Sequence, residues 1–115
     1  MSVKINAKII GIKAPIVVKT TNKNMRLVVK ANKALANASD PVEKTDLQTL
    51  GALEDALTVP YECIVNILKL TKTQANKLDE LEFDEVIEFM GRISNAILNN
   101  EDDDGKVIDT ADSKK

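Results

Sequence analysis

The chain has 115 residues, 43% hydrophobic but only 3% aromatic, which fits one domain with an aliphatic core. It has no histidine and one cysteine, Cys63, which excludes a histidine-based catalytic pair and an internal disulfide and suits a reducing cytoplasm. The net charge of −2 is unevenly spread: residues 1–39 carry eight bases and no acid, and the rest carries the other eight bases and all 18 acids.

Residues 2–20 have the pattern of a hairpin. Val3, Ile5, Ala7 and Ile9 alternate with Lys4, Asn6 and Lys8, the period of a half-buried strand. Gly11 to Pro15 supply a turn, and Ile16, Val17 and Val18 form a second β-branched run, so residues near 3–10 are expected to pair with 16–20. Thr21 or Asn22 can cap a helix to about Ala38, with Met25, Val28, Val29, Ala31 and Leu35 on one face and Lys23, Arg26, Lys30 and Lys33 largely on the other. Asp40-Pro41 ends it, because the residue before proline avoids the α region.

A second helix is expected from Pro41 to near Leu57, where Leu47, Leu50, Leu53 and Leu57 recur at helical spacing. Pro60 either opens a new helix or kinks a continuous one, and Thr58 favours a new start. Beyond it, Tyr61, Ile64, Val65 and Leu68 make one apolar stripe and Cys63, Ile67 and Leu70 another, leaving Glu62, Asn66 and Lys69 as a polar line. A helix apolar on two sides is buried between neighbours. Thr71 and Gln74 have the spacing of a capping box for a short helix to about Leu81. The last helix starts at Phe83-Asp84 and has the strongest periodicity, in Val86, Met90, Ile93 and Ile97, widened by Phe89 and Ala96. Ile87 and Leu98 fall off that stripe and are expected at the surface. From Asn100 onward the composition is polar and acidic, as in a disordered tail.

Catalytic and metal chemistry finds little support. Cys63 lies on an apolar line and reads as a small core residue. The carboxylates at 79, 80, 82, 84 and 85 read as a solvated helix junction. Asn100, Asp102, Asp104, Gly105 and Val107 match part of an EF-hand calcium loop, but the glutamate needed at its twelfth position falls on Ala111. No phosphate-cradling loop, zinc spacing or dinucleotide fingerprint is present, and no cofactor is expected. The basic N-terminal part, Lys4 to Lys33, invites a nucleic-acid reading, yet it lacks stacking aromatics and the common DNA-reading motifs. The plainer expectation is that basic and acidic parts face each other within the fold or between protomers.

The order of elements and the segment ILKLTKTQANKLDELEFDEVIEFMGRISNAIL at 67–98 resemble the tail assembly chaperones of long-tailed bacteriophages and of prophages of Gram-positive bacteria. The resemblance implies a non-enzymatic protein of the host cytoplasm, absent from the finished virion. It implies binding to the tape measure protein, with the tail tube protein as a further partner, and homo-oligomers are compatible with it. The alternatives are a nucleic-acid-binding regulator that uses the basic region and a structural tail component. The expected architecture is mainly α with a small N-terminal β-hairpin: residues 1–99 form one helical domain, with the hairpin at 2–20 and helices at 21–99. Residues 100–115 form the acidic tail. Ile87 and Leu98 are the candidate partner-binding residues.

Overall fold

A computed structural model describes residues 1–39 and 45–103. In chain order these form β1 (Ser2–Ile5), a 3-10 turn (Lys8–Ile10), β2 (Ile16–Lys19), α1 (Asn22–Ser39), α2 (Asp46–Leu68), α3 (Lys72–Asp79) and α4 (Phe83–Asn99). The expected fold class, mainly α with a small N-terminal hairpin, is the one observed.

The two strands are antiparallel, with Ser2 opposite Lys19 and Ile5 opposite Ile16. The alternation holds through Val3, Ile5 and Ala7, all buried, and then fails. β1 ends at Ile5, and the chain turns at Ala7, whose carbonyl accepts the Ile10 N–H at 3.1 Å and the Ile12 N–H at 3.2 Å. This turn swings Ile10 into the core and leaves Ile9 exposed, the reverse of the expected pattern. Gly11 closes the turn at φ +83°, a conformation that glycine adopts at no steric cost.

In α1 the Thr21 hydroxyl accepts the Asn24 N–H at 3.2 Å, which settles the capping residue. Val28 and Ala31 are buried and Met25 and Leu35 pack partly against the core, but Val29 points outward. The largest departure concerns Pro60, because α2 is one continuous helix that passes through it. It begins at a capping box, Thr45 with Gln48, of the same form as the one at Thr71 and Gln74. Pro60 is fully buried, and Ala56, whose carbonyl loses its donor to the proline, is buried on the same face. Packing on that face offsets the ~3 kcal/mol that an interior proline costs a helix.

The core forms where the hairpin, α1, the end of α2, α3 and α4 converge. It contains Val3, Ile5, Val28, Cys63, Ile64, Ile67, Leu68, Leu78, Phe89, Met90, Ile93 and Ile97. The doubly apolar segment after Pro60 behaves as expected: Cys63, Ile64, Ile67 and Leu68 are buried, while Glu62, Asn66 and Lys69 face out. The apolar stripe of α4 is likewise buried from Phe89 to Ile97, with Val86 half-buried, and two polar residues are buried with it, Arg92 and Ser94. Ser94 donates to the Met90 carbonyl at 2.8 Å and accepts from the Asn32 amide at 3.3 Å, joining α4 to α1.

Arg92 belongs to a clasp that carries contacts past residue 99, where the helical domain was expected to end. The Asp103 N–H donates to the Lys4 carbonyl at 2.7 Å, and the Lys4 N–H donates to Asp102 Oδ1 at 2.9 Å. Asp103 Oδ2 accepts the Asn6 N–H at 3.2 Å and Arg92 Nη1 at 3.0 Å, and Arg92 Nη1 also lies 3.3 Å from the Asn6 carbonyl. The outward backbone groups of Lys4 and Asn6 are thus all satisfied, which closes an edge that would otherwise be open to another strand. The remainder of the expected tail, residues 104–115, lies outside the described residues.

Candidate partner-binding surface

The most exposed large apolar side chains of the helices lie in the first half of α2. Leu47 is 80% exposed, Leu50 63%, Leu53 48% and Leu57 52%. Steps of three, three and four residues hold them in one stripe, roughly 15 Å long between Leu47 and Leu57. Their spacing forms the helix as expected, but the stripe is not a core face. In this half α2 buries only Ala52 and Ala56, and α1 packs along it. Every residue from Thr45 to Gly51 is exposed.

The stripe runs into a cleft of about 240 Å³ lined by Leu57, Tyr61, Leu78, Leu81, Phe83 and Val86, with Asp79 the one charged residue of its lining. Phe83, the first residue of α4, is itself exposed. Leucines and aromatics from α2, α3 and α4 therefore form one surface. Burying a leucine side chain is worth about 1.5–3 kcal/mol, so covering the four leucines in proportion to their exposure would contribute roughly 4–7 kcal/mol. Contiguous apolar surface of this kind marks an interaction site on a folded domain.

The two residues expected to meet a partner fare differently. Leu98 is 46% exposed and borders a shallow groove with Glu88, Gly91, Ser94, Asn95 and Asn99. Ile87 is half-buried and does not line that groove. Eleven residues apart, they share a line along α4 but are roughly 16 Å from each other, with small and polar residues between. Their apolar contribution is a fraction of what the leucine stripe offers.

All eight N-terminal cations are exposed. Among the described residues the ion pair is Arg92 with Asp103, at 3.0 Å, so none of the eight is neutralised within the fold at this range. Lys23, Arg26, Lys30 and Lys33 run along the outer side of α1, three of them around a groove that holds Met25 and Val29. Cys63 is enclosed by the core, and burial pushes its thiol up to about 12, far from a nucleophile's range. Asp102 and Asp103 are engaged by β1 and Arg92. No cluster of metal-binding side chains occurs among the described residues. The other calcium-loop positions, Asp104 and beyond, lie outside them. No helix among the described residues is long and apolar enough to cross a membrane.

No curated protein and no solved structure matches the chain. The model of one family, described as phage tail assembly chaperone proteins, TAC, matches residues 1–114. With nearly its whole length inside that match, the chain belongs to the phage tail assembly chaperone family.

Proposed function

We propose that this tail assembly chaperone holds segments of the tape measure protein on the leucine face of α2 and keeps them soluble while the tail tube assembles. The observation that carries the reading is the row Leu47, Leu50, Leu53 and Leu57, left exposed among the described residues. A long helical protein awaiting its tube presents apolar stripes, and a groove or ridge of matching character binds them through apolar anchors. The role needs no catalytic group and no cofactor. It places the protein in the host cytoplasm during assembly and outside the finished virion.

The test is co-expression with the cognate tape measure protein. The wild-type chain should raise the soluble fraction of the tape measure and co-purify with it, and Leu50→Glu with Leu57→Glu should abolish both. Equal insolubility with and without the chain, and no complex, would end this reading. The cations along α1 favour nucleic-acid binding as a second reading. Tight duplex binding that weakens steeply with salt would promote it.

A further inference from the structure

Within α2 itself the charges have a single sign. From Asp46 to Leu68, α2 carries Asp46, Glu54, Asp55 and Glu62 and no lysine or arginine, and all four acids are exposed. Glu54 lies at the edge of the stripe by helical position, and Asp46 lies at its start. At the cleft end, Leu81 and Phe83 stand in a run with acids at 79, 80, 82, 84 and 85, each of them exposed. Lys77, the base of α3 nearest that run in sequence, packs against Gly11, where a Cβ would meet its ammonium at 3.1 Å. The apolar row thus has an acidic border along α2 and at the cleft.

Taking the leucine face to be the docking surface proposed above, we propose that its occupant is an amphipathic helix whose apolar stripe is flanked by lysine and arginine. The row is helical and long enough to meet nearly three turns of such a helix. An acidic rim selects a basic flank and repels an acidic one, because like charges brought together cost affinity and opposite charges steer encounter. The same rim opposes face-to-face pairing of two copies through α2, since each would set Glu54 and Asp46 against an acidic border.

The full chain is titrated with two synthetic helical peptides that share one leucine stripe, one flanked by lysine and the other by glutamate, and amide NMR shifts report the site. The lysine peptide should bind about tenfold or more tighter, a difference that a few exposed charge pairs supply and that added salt should shrink. Shift changes should fall on 46–61 and 79–86. Leu50→Glu with Leu57→Glu should remove binding, and Asp46→Lys with Glu54→Lys should reverse the preference.

Equal affinity for both peptides, tighter binding of the glutamate peptide, or shifts confined to α1 or to the Leu98 side of α4 would overturn the proposal. Lysine-peptide binding that survives the leucine substitutions would also overturn it, as mere charge attraction. A dimer abolished by Leu50→Glu would assign the face to a second copy instead. If the tape measure is rescued but peptide charge has no effect, the basic-helix proposal fails and the chaperone reading stands. If the lysine peptide binds as described and the tape measure is not rescued, the reverse holds.

Discussion

The two halves of α2 contain similar residues and meet opposite fates. From Pro60 to Leu68 the helix buries Cys63, Ile64, Ile67 and Leu68 among the hairpin, α1 and α4. From Asp46 to Leu57 it leaves four leucines in solvent and buries two alanines. Helical spacing reveals a face, but only the neighbours decide whether that face is core or surface. In the second half the hairpin, α1, α3 and α4 converge; in the first, only the alanine side is buried. An apolar row that the described residues leave exposed is what the docking proposal rests on.

The largest test of the difference is stability. Ile64→Ala should cost ~2–5 kcal/mol in chemical denaturation, because the core cannot close around the missing atoms. Leu50→Ala should stay within about 0.5 kcal/mol, as at an ordinary surface position. Comparable losses at both positions would mean that the first half is packed after all.

Asp103→Asn should give an intermediate loss of ~1.5–3 kcal/mol, the range for a hydrogen bond to a charged group. It removes the negative charge paired with a buried guanidinium that also lies 5.0 Å from the Phe89 ring centroid. A negligible change would show that the clasp is decoration and that the domain ends with α4.

The smallest effects are chemical. Cys63 should resist alkylation at about pH 8, whereas Leu50→Cys in a Cys63→Ala background should react rapidly, because only the second thiol is exposed. The sign of the pH effect follows from burial. With the folded thiol raised from 9.0 to about 12, the contribution of Cys63 is complete below about pH 9. It is lost as pH rises towards 12, because the unfolded chain has released its proton first. Rapid labelling of Cys63 in the native chain would contradict its place in the core.

What was legible in the sequence was local. The Thr71–Gln74 box, the doubly apolar segment after Pro60 and the stripe of α4 depend on neighbours a few residues away, and each is found as expected. The hairpin's first half follows its alternation until a turn at Ala7 exchanges Ile9 for Ile10. Pro60 misled because a local rule lost to packing: the proline and Ala56 share a buried face. Thr45 and Gln48 had the right spacing to mark the helix start, a signal overlooked in favour of Pro41.

The clasp could not be read at all. It joins Asp102 and Asp103 to residues nearly a hundred positions earlier, and acidic tails are ordinarily solvated. The leucine row is visible as a helical pattern, but its spacing alone does not tell core from surface. Ile87 and Leu98 interrupt a periodicity, a signal that finds the exposed Leu98 but not the half-buried state of Ile87, nor a surface formed by three helices.

Hydrogen exchange on the free chain and on its complex with the tape measure protein tests the central claim most directly. In the free chain, amides in the core half of α2 should exchange slowly and those at 46–57 faster, because few buried contacts hold that half. In the complex, protection should rise over 46–57 and over 79–86, with 60–68 unchanged. A rise confined to the Ile87–Leu98 side of α4, or to the basic side of α1, would show that the tape measure binds elsewhere and that the leucine face is not the docking surface.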